Sequence, residues 1–247
     1  MGWLKNIFNK AEEEKGKTAA AAEAVSGDLN KENIVVMPFH QISLESADLE
    51  KLGQITLKSI SHKCIGIDAV KIEEWPETFN GTVKGEKGDF AIEGKKYKQT
   101  ENIVFFEITS DTSELERYLQ RKFHIAYAAQ DATSIDTSLL KEIDQGQPKW
   151  YQSGSEFELY LIENGENTVH FHMSFHGMYL EGGQGLPVRA AEIKEIGGKV
   201  DRNDLEFMDQ VPKRSIEQAM VFVGNIDNLE TYHYVNIMLG LKASLEG

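Results

Sequence analysis

The stretch Thr168-Val-His-Phe-His-Met-Ser-Phe-His176 gathers three imidazoles on one short segment, and it is where side-chain chemistry is most concentrated. Apolar and polar residues alternate strictly. On a β-strand Val169, Phe171, Met173 and Phe175 point one way, and Thr168, His170, His172, Ser174 and His176 the other. Two histidines at i and i+2 then lie about 6.7 Å apart along the strand, close enough to share one metal ion.

A carboxylate would have to come from the neighbouring strand. Phe157-Glu-Leu-Tyr-Leu-Ile162 followed by Glu163-Asn-Gly165 predicts a β-hairpin with the histidine strand as its second arm. A two-residue loop at Asn164 and Gly165 sets Leu159 against His170 and mixes polar with apolar on both faces. A three-residue loop with Gly165 in the left-handed conformation sets Leu159 against Val169 and Phe157 against Phe171. Burial of one face favours the second register. Glu158 then faces His170, and Glu156 faces His172. His170, His172, Glu158 and Glu156 are therefore the candidate metal set, a two-histidine, one-carboxylate arrangement suited to Zn, Fe or Mn. Such a metal with an open position activates water or dioxygen, with a glutamate as ligand or general base. Without a metal, the same residues are cross-strand ion pairs worth at most about 1 kcal/mol each. Carboxylates beside histidines would raise their proton affinity and make the face a pH sensor.

The second candidate region is the start of the chain. Trp3, Leu4, Ile7, Phe8 and Ala11 fall at helical spacing on one face, followed by charged residues and the Ala19 to Ala22 run. Residues 1–32 read as an amphipathic helix with an alanine-rich tether, and Trp3, Leu4, Ile7 and Phe8 as its docking residues. The occupant is the protein's own core, a partner protein or a membrane surface. Only Lys5 and Lys10 offset Glu12, Glu13 and Glu14, which weakens the membrane reading.

Other motifs carry less. Glu181-Gly-Gly-Gln-Gly-Leu-Pro187 lacks a phosphate-binding lysine and reads as a wide turn. Lys95-Lys-Tyr-Lys98, flanked by Glu93 and Glu101, reads as a solvated hairpin end. Cys64, the single cysteine, sits in an apolar run and reads as a small buried hydrophobe. Gly-x-Ser-x-Gly, His-Glu-x-x-His and paired Cys-x-x-Cys are absent, so no nucleophile–base pair can be nominated.

These residues must be positioned by a folded chain of 247 residues, 40% hydrophobic, with net charge −14. The charge argues against nucleic acid as a partner. The lone cysteine and the absence of a secretory leader or an apolar spanning run point to a cytoplasmic location. Strands are expected over 34–39, in patches of 55–72, at 79–83, 89–94, 103–108, 156–182 and 221–223. Turns are expected at Asn80-Gly81, Glu86 to Gly88 and Glu93-Gly94. Helices are expected over 43–52, from a capping box at Ser113 through Ala126, over 136–143, over 212–220, and from a cap at Asp227 or Asn228 to the end. The fold class is α+β: mainly antiparallel sheet, in meanders and hairpins, covered by a few helices. Residues 33–247 form the globular region, with a division into 33–147 and 148–247 as the alternative. The leading function is a non-enzymatic module that docks other proteins through its N-terminal segment, without a cofactor. The alternative is a metal-dependent enzyme centred on His170 and His172.

Overall fold

A computed structural model describes residues 33–68, 72, 74–136, 146–154, 156–193 and 202–246. The expected N-terminal helix with Trp3, Leu4, Ile7 and Phe8, and the helix expected over 136–143, lie outside the described residues, apart from Asp136. The rest is α+β with mostly antiparallel sheet, and it divides into two units, 33–127 and 128–246.

The first unit is a seven-stranded antiparallel sheet in the order β1-β3-β4-β7-β6-β5-β2. Its strands are β1 (Ile34–Val35), β2 (Ser43–Glu45), β3 (Leu57–Ile60), β4 (Cys64–Asp68), β5 (Thr78–Gly85), β6 (Gly88–Gln99) and β7 (Ile103–Ile108). Central β4 and β7 bury Cys64, Ile65, Ile67, Val104, Phe105 and Phe106. Burial pushes the Cys64 thiol up to about 11, so it is an inert hydrophobe, as its apolar context suggested.

Glu86 and Lys87 make the β5–β6 turn. Asn80-Gly81 and Glu93-Gly94, expected as turns, instead lie inside β5 and β6. Gly94 is paired with Phe79, and a Cβ there would sit 2.1 Å from the Phe79 ring. The glycine makes room for a core aromatic and bends nothing. Lys95 to Lys98 likewise lie within β6, at a bulge, and not at a hairpin end.

The helix expected over 43–52 is half strand. Leu44 pairs with Val83 in β2, and Ser46 then caps the single turn α1 (Ala47–Glu50). The one helix expected from Ser113 through Ala126 is two, α2 (Ser113–Lys122) and α3 (His124–Gln130), the latter running across the 127/128 boundary; Leu115, Leu119, Phe123 and Ala126 of its apolar stripe are buried and Tyr118 is half-buried. The cap differs: Thr112 is the N-cap, and Asp111 accepts from both the amide and the hydroxyl of Ser113.

The second unit is a six-stranded sheet in the order β13-β12-β11-β10-β9-β8, again antiparallel throughout. Its strands are β8 (Thr133–Ile135), β9 (Gln147–Ser153), β10 (Phe157–Asn164), β11 (Asn167–Phe175), β12 (Met178–Gly183) and β13 (Leu186–Glu192). Helix α4 (Lys213–Gly224) packs against α5 (Thr231–Glu246), and α5 lies on β11, β12 and β13. Val221, Phe222 and Val223, expected as a strand, are the last buried turn of α4. Three consecutive apolar residues cannot separate a strand from a helix buried on several sides. Helix α5 opens at Thr231, two residues later than a cap at Asn228 places its start. Residues 181–187 form a tight hairpin, Gly183 opposite Leu186, and not a wide turn.

Period two sorts this sheet into two faces. Across it run Tyr151, Leu159, Met173, Leu180 and Ala190, all buried on the α5 side. The adjoining row on the opposite, outer face is Trp150, Tyr160, His172, Glu181 and Arg189.

Candidate functional site

The β10–β11 hairpin closes through Gly165 and Glu166, with Asn164 opposite Asn167 and Gly165 at φ +59°. Beyond the tip Val169 is an extra residue: Glu163 pairs with Thr168, whereas Ile162 already pairs with His170. From there Tyr160 faces His172, Leu159 faces Met173 and Glu158 faces Ser174. The three-residue-loop register is thereby overturned. Leu159 lies beside neither His170 nor Val169.

His170 and His172 do share the outer face, as expected, and Glu158 shares it too. Glu158, however, stands opposite Ser174 and Gln152. Glu156 precedes β10 and meets His176, its Oε2 3.6 Å from Nδ1. The carboxylate that lies opposite His172 is Glu181, on β12. Thr168 leaves the outer face altogether, because the Val169 bulge turns it toward α5. There its hydroxyl meets His233 Nδ1 at 2.8 Å. Gly183 accommodates the bulge, since a Cβ on it would sit 2.2 Å from the Val169 carbonyl oxygen.

Rings hold His172 in place. Its imidazole stacks on Tyr160, with centroids 4.9 Å apart at 18°, and on Tyr179, at 5.4 Å and 25°. His170 is 6.1 Å away. Burial, then the neighbouring His170, push the His172 imidazole down to about 4, and burial lowers His170 as well. This reverses the sequence expectation of raised proton affinity: flanking rings desolvate the imidazolium, and the Glu181 charge offsets only part of that cost. Both histidines are neutral at pH 7.

Glu181 anchors the neighbouring cluster. Its side chain is 5% exposed and accepts from Tyr179 Oη at 3.2 Å. It also accepts from Arg189 Nε at 3.1 Å and Nη2, and from Arg202 Nε at 2.6 Å and Nη2 at 2.9 Å. Burial alone would raise its carboxyl, but the bonds from the two guanidiniums hold it down at about 2. Phe207 lies under Arg189, 4.1 Å from ring centroid to guanidinium carbon, and edge-on to Tyr179.

Sequence reasoning missed Trp150, Tyr160, Tyr179, Glu181 and Arg189. A two-residue turn at Gln184-Gly185 was the available signal, because it carries Arg189 back across the hairpin to Glu181. Arg202 arrives from a separate segment, and no local spacing announces it.

On the α5 side lies a second, half-buried polar network around the fully buried His233. Glu163 accepts from Tyr232 Oη at 2.7 Å and from His233 Nε2 at 2.9 Å, with Lys149 Nζ 3.2 Å away. Lys149 also bonds Glu230, which accepts from Tyr151 Oη at 3.0 Å. A carboxylate only accepts, so His233 Nε2 carries the proton and Nδ1 accepts from the Thr168 hydroxyl. Burial keeps this imidazole neutral despite the two carboxylates.

Among the described residues no group of three or more His, Cys, Asp or Glu is arranged to hold a metal ion. The carboxylate that does stand beside His172 is already bonded to two arginines and a tyrosine. Zinc, iron or manganese added in excess is therefore expected to leave Tm within about 1 °C of the metal-free value. A rise of several degrees that His172→Ala abolishes would reinstate the metal reading.

No family model matches the sequence, and no curated protein matches it. Among solved structures, an uncharacterised Legionella protein is similar over 36% of this chain and 90% of its own, at 13% identity with a TM-score of 0.31. Among the described residues no helix is long and apolar enough to cross a membrane.

Proposed function

We propose that this chain is a non-enzymatic protein-binding module whose docking surface is the outer face of the second unit's sheet. The observation that carries the reading is the row of partly buried rings, Trp150, Tyr160 and His172, ending at the exposed guanidinium of Arg189. Trp, Tyr and Arg dominate the residues that carry binding energy at protein interfaces, because they offer large rigid area with a polar edge. The rings are held before any partner arrives, so little side-chain entropy remains to be lost on docking.

The N-terminal residues Trp3, Leu4, Ile7 and Phe8 are the second docking element of this proposal. The two contributions separate in one experiment. A partner captured by the full chain is purified, and its Kd is measured against Tyr160→Ala and against a chain lacking residues 1–24. Tyr160→Ala is expected to raise Kd at least about tenfold, or ~1.4 kcal/mol, while Lys51→Ala in the first unit leaves it unchanged. A Kd indifferent to Tyr160→Ala and to Trp150→Ala removes the sheet face from the proposal. A Kd indifferent to the truncation removes the N-terminal segment.

A further inference from the structure

The ring row ends in a charge imbalance. One buried carboxylate, Glu181, faces two guanidiniums, Arg189 and Arg202, whose side chains are 46% and 57% exposed. These three groups carry a surplus of one positive charge, with Glu158 the next carboxylate on the same face, in a chain of net charge −14. The neighbouring histidines add nothing to it, because both are neutral. Each guanidinium spends Nε and Nη2 on Glu181, Arg202 also bonds the Tyr179 side chain, and the Nη1 groups take no part in the Glu181 bonds. The guanidiniums are also fixed. Glu181 holds both, and Phe207 lies against the Arg189 plane. Two planar forks locked side by side, with one net positive charge and donors to spare, match a single carboxylate.

We infer that Arg189 and Arg202 form a carboxylate clamp that takes an acidic side chain of the protein segment bound along the ring row. This rests on the protein-binding reading and names the partner's chemistry: an aromatic or apolar residue over Tyr160 and His172, with a glutamate or aspartate beside it. A carboxylate balances the surplus charge, whereas a phosphate dianion overshoots it.

The test uses the full chain and a library of blocked, tyrosine-centred peptides with flanking glutamates, each paired with its glutamine counterpart. The readouts are the Nε–H resonances of Arg189 and Arg202 and the indole N–H resonance of Trp150. The glutamate peptides are expected to shift all three and to bind at least about tenfold tighter than the glutamine versions. Arg202→Gln should bring the two series within about twofold of each other, and Arg202→Lys should fall between, since it keeps the charge and loses the fork. Unchanged resonances on β9 and β10 verify that each variant is folded.

If glutamate and glutamine peptides shift Trp150 equally, the clamp is overturned and the ring face stands. If neither series shifts any of the three, both fail. Inorganic phosphate alone shifting the arginines, with no response to glutamate peptides, would make this a site for a free anion and overturn the partner carboxylate. A preference for glutamate that survives Arg202→Gln overturns the assignment to this pair.

Discussion

His233→Leu is expected to destabilise the second unit by about 3 kcal/mol. The side chain is fully buried at the start of α5, and its two ring nitrogens are divided between two strand residues. Removing it orphans the buried Thr168 hydroxyl and strips one donor from Glu163, whose remaining partners are Tyr232 and Lys149. Leucine fills most of the volume, so the loss comes from unsatisfied polar groups more than from a cavity. Thr168→Val should cost less, about 1–2 kcal/mol, because it leaves only Nδ1 without its donor. In the double variant the two losses should not add, since each partner's desolvation cost is already incurred once the other is gone. Urea unfolding of the three variants gives the cycle. The midpoint should move while the slope stays constant. Additive losses, or a His233→Leu cost below about 1 kcal/mol, would mean that the network does not organise the seating of α5.

The same hairpin shows which parts of this molecule were legible in the chain. Alternation in 168–176 sorts His170, His172 and Ser174 from Phe171 and Met173, and Glu158 joins the histidines, all as found. Alternation reads only the parity of a register, however. A slide of two or four residues keeps every apolar side chain on the buried face, so Leu159 against Met173 satisfies the pattern as well as Leu159 against Val169. The tie is broken by the Val169 bulge, and the bulge is stabilised from outside the hairpin. His233 and Glu163 draw Thr168 toward α5, and Gly183 leaves space for the displaced carbonyl. None of these lies within the nine residues that carry the pattern. Gly81 and Gly94 mislead for a related reason. A glycine that yields space to the Phe79 ring looks, in sequence, like one that turns the chain. The helical stripe of α2 and α3 was readable because its period, and not a tertiary partner, defines it.

Acid is expected to weaken both units, and histidines rather than carboxylates should begin the loss. His40 lies buried between the rings of Phe39 and Phe123, at 4.9 and 4.7 Å, and its Nδ1 accepts from the Met37 amide at 3.0 Å. Burial, then the Lys122 charge, push its imidazole down to about 4. Protonation would also remove the acceptor that the Met37 amide needs. His172 is pushed to about 4 by its own ring stack in the other unit. For both, the folded value lies below the ordinary 6.5, so between these values the unfolded chain binds more protons than the native one. Stability is then complete above pH 6.5, falls as pH drops, and is fully lost near pH 4, about 3 kcal/mol for His40 and similar for His172. By pH 5 the loss is about 2 kcal/mol per histidine. The Glu181 carboxyl, held at about 2 against an ordinary 4.5, contributes stability that begins to disappear only below 4.5. Hydrogen exchange at pH 7.5 and 5, corrected for intrinsic rates, resolves the units through the amides of β4 and β7 and of β10 and β11. His40→Phe should flatten the profile of the first pair alone, and His172→Phe, which preserves the stack, should shrink that of the second, where the desolvated His170 and His233 still titrate. Protection that is equal at the two pH values in the unsubstituted protein would contradict the neutral, desolvated state assigned to both imidazoles.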